Sequence, residues 1–181
     1  MQNSKRTGNE LNRISLQAFK ANPKLPLILI LDNLRSGHNI GSVFRTADAF
    51  NVNKIYLTGI SAVPPNKEIL KTALGSTESI DWQYMEDAKE CILKLKAQGI
   101  KVYAIEQTVS GIFLQNFKYL PDQALAVIFG NEVDGVNQEL IDLCEGSIEI
   151  PQFGTKHSLN VSVSAGIVLW HLVNQLLTFN K

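Results

Sequence analysis

Apolar residues recur along this chain in two rhythms. Leu27-Ile28-Leu29-Ile30-Leu31 and Leu125-Ala126-Val127-Ile128-Phe129 are short unbroken runs, as expected of strands covered on both faces of a parallel sheet. Ile40, Val43, Phe44 and Ala47 instead follow the i, i+3, i+4, i+7 spacing of a helix with one buried stripe. Read in this way, the chain begins with a helix over Glu10–Lys20, a strand over Leu27–Leu31, a helix over Ile40–Phe50 and a strand over Lys54–Leu57. A short helix at Asn66–Lys71, a strand at Ser79–Tyr84, a helix at Glu86–Gln98 and a strand at Lys101–Ile105 follow. The series closes with a strand at Ala124–Phe129, a short helix at Asn137–Leu143, a strand at Ser147–Ile150 and a helix from Leu159. Strands alternating with helical periods predict an α/β fold, a mostly parallel sheet with helices on both faces.

A length of 181 residues with 45% hydrophobic and 19% charged residues suits one domain with a real core. Asn22-Pro23-Lys24-Leu25-Pro26 is the one break in composition. It divides an N-terminal arm or helix, residues 1–24, from a body over residues 25–181. The 17 Lys and Arg balance the 17 Asp and Glu, which argues mildly against a strong nucleic-acid binder. The arm softens that objection, because Lys5, Arg6, Arg13, Lys20 and Lys24 face only Glu10 there. A solvated tail and an RNA-touching arm both fit. The longest apolar stretch, Val161–Leu177, is interrupted by Ser162, Ser164, His171, Asn174 and Gln175, so no membrane span is expected. No apolar core follows the charges at the N-terminus, so no signal peptide is expected. Cys91 and Cys144 stand apart, without metal or redox spacing, as reduced core thiols would. A cytoplasmic location follows as the default.

Candidate chemistry gathers where three strands end in Gly- or Asn-rich turns, the edge at which open α/β sheets bind ligands. The first turn leads into Asn39-Ile40-Gly41-Ser42-Val43-Phe44-Arg45. Arg45 points away from the apolar stripe, placed either as an ordinary surface arginine or to grip a phosphate. The second is Gly130-Asn131-Glu132-Val133-Asp134-Gly135, which exposes backbone N–H groups and a carboxylate, or is a plain turn. It lacks the ligand spacing of a calcium loop. The third runs Ile150-Pro151-Gln152-Phe153-Gly154-Thr155-Lys156-His157-Ser158-Leu159-Asn160. Ser158 and Asn160 there fit the N-cap and first turn of the last helix, or a site for a small polar ligand, or both. His38, His157 and His171 form no metal set, and no metal is expected. No nucleophile elbow, Walker A loop or Gly-x-Gly-x-x-Gly fingerprint occurs.

Together the three loops resemble the three motifs of the SPOUT class of RNA methyltransferases, in its TrmH/SpoU branch. Asn39-x-Gly41-x-x-x-Arg45 is similar to the first motif and Phe129-Gly130-Asn131-Glu132 to the second. Ile150-Pro151-x-x-Gly154-x-x-x-Ser158-Leu159-Asn160 matches the third almost position for position, with Gln152 and His157 in place of commoner residues. The resemblance covers about residues 25–178.

It implies a SPOUT fold with a C-terminal deep trefoil knot, a homodimer whose site is completed across the interface, and S-adenosylmethionine as cofactor. The implied reaction is methyl transfer to a ribose 2′-hydroxyl of tRNA or rRNA. By the same resemblance Asn39, Arg45, Glu132, Ser158 and Asn160 are catalytic positions, and Gly130, Ile150 and Leu159 contact the cofactor. Asn39 is expected to hold Arg45, and Glu132 to orient Arg45 or a loop, or only to cap its turn. Only about 25 residues precede the first strand, which inclines the reading toward tRNA over rRNA. A base-methylating enzyme and a non-catalytic RNA-binding or assembly factor on the same scaffold are the rival readings.

Overall fold

The structure, a computed structural model, describes residues 4–7, 14–120 and 123–179, with residues 178 and 179 described by their backbone alone. Among the described residues fourteen α-helices and strands follow one another, with a short 3-10 turn at Leu114–Asn116: α1 (Leu16–Ala21), β1 (Leu25–Asp32), α2 (Gly37–Ala49), β2 (Val52–Thr58), α3 (Lys67–Ala73), α4 (Ser76–Ser79) and β3 (Asp81–Met85). Then come α5 (Ala88–Ala97), β4 (Lys101–Ile105), β5 (Ile112–Phe113), β6 (Leu125–Phe129), α6 (Gln138–Leu143), β7 (Gly146–Glu149) and α7 (Val161–Phe179). The seven strands form one sheet in the order β3-β2-β1-β6-β4-β7-β5, and every pairing in it is parallel.

The two apolar runs lie side by side at the centre, Leu27–Leu31 of β1 in register with Leu125–Phe129 of β6. Successive strand residues face opposite sides, and the core divides accordingly. Leu27, Leu29, Leu31, Val127 and Phe129 pack with the buried residues of α2 and α7. Ile28, Ile30, Ala126 and Ile128 pack with Cys91, Ile92 and Leu95 of α5 and Leu140 of α6. The apolar stripe of α2 is fully buried at Ile40, Val43, Phe44 and Ala47. Gly41 lets this helix lie on α3, because a Cβ there would sit 2.3 Å from the Ile69 carbonyl oxygen.

Four details differ from the sequence reading. Ser79, read as the first residue of a strand, instead ends helix α4, where its hydroxyl bonds Asp48 and the Ser76 carbonyl, and the strand begins at Asp81. Strand β5 and its parallel pairing with β7 are additions, two residues long and too short for any periodicity. The last helix starts at Val161 rather than Leu159. The first covers Leu16–Ala21, and the expected start at Glu10 lies outside the described residues.

One arm cation is tied to the body. Lys24 Nζ donates to the Phe19 carbonyl (2.8 Å) and to Asn51 Oδ1 (3.0 Å), and it lies over the Phe19 ring. Partial burial there lowers its pKa, against the opposing pull of Asp48 and Asp81. Burial pushes the Cys91 thiol up to about 12 and the Cys144 thiol up to about 11, and both cysteines are free. No helix among the described residues is long and apolar enough to cross a membrane.

Candidate active site

The carboxyl ends of β1, β6, β4 and β7 are neighbours in the sheet, so the loops that follow them meet. After β1, the Ser36 hydroxyl caps α2 by accepting the Asn39 N–H at 3.3 Å, a common use of a short polar side chain at a helix start. This orients Asn39 in the first turn. Asp32, 3% exposed, is occupied elsewhere, accepting bonds from Thr58 Oγ1 (2.7 Å) and Asn33 Nδ2 (2.9 Å).

After β6 the chain folds back tightly. Asn131 Oδ1 accepts the N–H groups of Val133 (2.8 Å) and Asp134 (2.7 Å), and the Asn131 carbonyl accepts that of Gly135 (3.1 Å). A Cβ on Gly130 would lie 2.0 Å from the Gly135 carbonyl oxygen, so only glycine permits this closure. After β7, Gln107 Nε2 holds the long third loop by donating to the His157 carbonyl at 2.7 Å.

The three loops are joined by a chain of side-chain bonds. Asn160 Nδ2 donates to Asn39 Oδ1 (3.1 Å), and Asn39 Nδ2 donates to Glu132 Oε1 (2.9 Å). The ionised carboxylate only accepts, so it fixes the Asn39 amide with its NH2 toward Glu132 and its oxygen toward Asn160. Asn160 Oδ1 in turn accepts the N–H of Ser162 (2.9 Å) and the Ser162 hydroxyl (2.6 Å). Asn160 therefore caps α7, and Ser158 lies outside the helix rather than at its cap.

Beside this chain lies a cleft of ≈ 320 Å³, at the small end of the range for ligand sites. Gly130, Glu132, Ile150, Ser158 and Leu159 all line it, with apolar contributions from Phe129, Ile148 and Val161. Asn39 and Asn160 reach its edge through Glu132. Arg45 stands apart, exposed on α2. Asn39 bonds Glu132 and Asn160 instead of Arg45, and no ion pair joins Glu132 to Arg45 among the described residues.

Glu106 and Gln107 are among the cleft residues that the sequence did not mark. They follow β4 directly, without the Gly or Asn signature that marked the other loops. A strand ending in a polar pair at the same sheet edge was the only signal available.

The double use of Asn160 gives a separable expectation. Asn160→Asp keeps a cap oxygen at the positive end of α7 but loses the Nδ2 donor and sets a carboxylate against the Asn39 carbonyl oxygen. Thermal stability is expected to stay within about 1 kcal/mol of the parent, the size of a cap effect. Turnover is expected to fall about 10- to 100-fold, the scale of one charge-linked hydrogen bond. Melting curves alongside initial rates check this; parent-like turnover in Asn160→Asp, with only Asn160→Ala losing stability, would reduce the residue to a cap.

The SpoU rRNA Methylase family matches residues 26–170. The 23S rRNA (guanosine-2′-O-)-methyltransferase RlmB of Neisseria meningitidis serogroup B is 36% identical over 145 residues, which cover 80% of this chain and 56% of that protein. The chain thus spans little more than half the length of that relative. The A. aeolicus TrmH/SpoU tRNA modifying enzyme superposes with a TM-score of 0.81 at 25% identity, over 91% of this chain and 82% of the other. An AdoMet-bound rRNA methyltransferase from Sinorhizobium meliloti gives 0.77 at 26% identity, over 85% and 61%. The parallel sheet, its three latched strand-end loops and this match over most of the length agree: the chain belongs to the SpoU rRNA methylase family.

Proposed function

We propose that this protein is an S-adenosylmethionine-dependent RNA methyltransferase acting on a ribose 2′-hydroxyl. The observation that carries the proposal is the bond chain Glu132–Asn39–Asn160 along the edge of the cleft. It joins loops from β1, β6 and β7 into one polar surface beside a pocket with apolar walls. The cleft suits the cofactor. Ile148, Ile150 and Phe129 offer apolar contact for a purine, and the Gly130 turn brings bare backbone close, where a side chain has no room. Gly130, Ile150 and Leu159 would hold it there. When bound, S-adenosylmethionine supplies a methyl group on a sulfonium centre.

The ribose oxygen has to approach that methyl in line. Its hydroxyl is a very weak acid, so negative charge developing on the oxygen needs a partner. A guanidinium is a permanent cation with five donors, and Arg45 serves as that partner while gripping the adjacent phosphate. The phosphate or a water receives the proton. Glu132, Asn39 and Asn160 orient the loops, and Ser158 lies nearest the incoming RNA.

A homodimer accounts for the position of Arg45. At about 100° per residue, Arg45 lies roughly 120° around α2 from Asn39, away from this chain's own cleft. Val163, Ile167 and Trp170 form an exposed apolar stripe on α7, which packs against α2. Burying that stripe against a second copy would bring Arg45 toward the partner's cleft.

Transfer of tritiated methyl from S-adenosylmethionine to total tRNA and to rRNA, followed by digestion to nucleosides, tests the reading. A labelled 2′-O-methyl nucleoside is expected. Comparing the two pools decides between the rRNA named for the Neisseria relative and the tRNA named for the A. aeolicus one. A labelled base instead of a labelled ribose would overturn the proposal in favour of base methylation, and cofactor binding without transfer would favour a binding factor.

A further inference from the structure

We infer that Glu106 is a donor-recognition residue, whose carboxylate accepts hydrogen bonds from the vicinal ribose hydroxyls of the bound cofactor. This rests on reading the cleft as the S-adenosylmethionine site. Strand β4 lies between β6 and β7, so Glu106 emerges between the Gly130 turn and the Ile150 loop and lines the cleft with both. Its backbone is fixed, the N–H donating to the Ile148 carbonyl at 3.2 Å.

The carboxylate is held as firmly. Oε1 accepts the Gln107 N–H at 2.8 Å, and Oε2 accepts the Val136 N–H at 3.0 Å. The opposite loop makes room for it. Gly135 has φ +68°, and a Cβ there would lie 2.1 Å from Oε2. Glycine is needed at that position both for the backbone and for the carboxylate.

What remains of Glu106 is specific in kind. An ionised carboxylate has about four acceptor positions and no donor. One on each oxygen is taken by a backbone N–H, which leaves one on each. Glu106 makes no ion pair among the described residues; Lys96–Glu145 is the salt bridge found there. A carboxylate presenting two adjacent acceptors to a cleft matches a pair of adjacent neutral donors. The cis-diol of a ribose offers these, as in dinucleotide sites where an acidic residue takes the ribose hydroxyl. The adenine amino group carries both of its hydrogens on one nitrogen, pointing apart, so it does not offer two adjacent donors, and the apolar walls at Ile148 and Ile150 already suit the purine. The methionyl ammonium is the competing donor, and the test separates it.

Calorimetric binding of S-adenosylhomocysteine, its 3′-deoxyribose analogue and its desamino analogue to the parent protein and to Glu106→Gln decides the matter. The parent is expected to bind the 3′-deoxy analogue about tenfold more weakly or worse, the scale of one bond to a charged acceptor. Glu106→Gln is expected to bind S-adenosylhomocysteine about tenfold more weakly and to lose most of its preference over the 3′-deoxy form. Its penalty for the desamino form is expected to stay as in the parent. Undiminished discrimination against the 3′-deoxy analogue in Glu106→Gln overturns the inference, as does lost discrimination against the desamino compound alone. Each preference is a ratio measured on folded molecules, so a modest loss of stability leaves it readable. If Glu106→Gln fails to fold, Glu106→Asp is substituted and judged by the same ratios. No binding of S-adenosylhomocysteine by the parent protein would overturn the cofactor reading itself.

Discussion

Arg45→Ala is expected to lower methyl transfer by about a thousandfold or more, the upper end of what one charge-stabilising group contributes, while leaving the melting temperature in place. Stability is spared because Arg45 is exposed on α2, opposite the buried Ile40, Val43, Phe44 and Ala47, and makes no ion pair among the described residues. S-adenosylhomocysteine binding should also survive, since Arg45 is not among the residues lining the cleft. Arg45→Lys keeps the charge but loses the planar, bidentate grip, and near-full turnover in that variant would refute a phosphate-gripping, charge-stabilising Arg45. The shared-site arrangement makes a sharper demand. Arg45→Ala and Asn160→Ala, each inactive as a homodimer, should regain activity when co-refolded. Random pairing in a twofold dimer restores one site in half of the molecules, about a quarter of the parent activity. No recovery despite mixed dimers would place Arg45 in the site of its own chain.

Gly130→Ala should have the second largest effect, by a different route. The added methyl has nowhere to go, with the Gly135 carbonyl oxygen at 2.0 Å and the Val136 nitrogen at 2.3 Å. All are backbone atoms, so the turn from Asn131 to Gly135 must open. Overpacking of this kind costs about 1–3 kcal/mol, or about 2–4 °C in Tm per kcal/mol for a chain of this size. Functional loss should exceed that. The displaced turn carries Glu132, so Asn39 loses its acceptor, and Val136 is drawn away from Glu106. Binding of S-adenosylhomocysteine should weaken at least about tenfold, one lost charge-linked bond. Differential scanning calorimetry with and without the ligand reads both effects. Parent-like binding in a destabilised protein would show that the turn is structural only.

The sheet's centre was legible in the chain because β1 and β6 are apolar on both faces, a pattern few alternatives produce. The stripe on α2 was legible for the same reason, a strong period over many residues. Short elements were not. Two residues of β5 carry no period, and α4 is a single turn set by contacts of Ser79 with Asp48 and Ser76. At the site, the sequence marked the loops but not their wiring. Asn39 bonds residues 93 and 121 positions away, and no local pattern reports such a pairing. The resemblance to the first family motif suggested that Asn39 holds Arg45, yet helical geometry turns them to different faces. Glu106 was silent because a strand followed by Glu-Gln looks like any solvated strand end.

With the basic arm taken as an RNA-touching one, the anchor at Lys24 sets a length scale for the substrate. Lys24 precedes the first residue of β1, and the site loops follow its last. The eight residues between span about 26 Å at the usual rise of a parallel strand. The tethered end of the basic arm and the reacting ribose are therefore at opposite edges of the sheet. A short oligonucleotide can occupy one edge but not both. Affinity plotted against RNA length would then rise in two stages, the first for a ligand that fills the cleft mouth and the second only for a folded RNA long enough to pass down the side of the molecule.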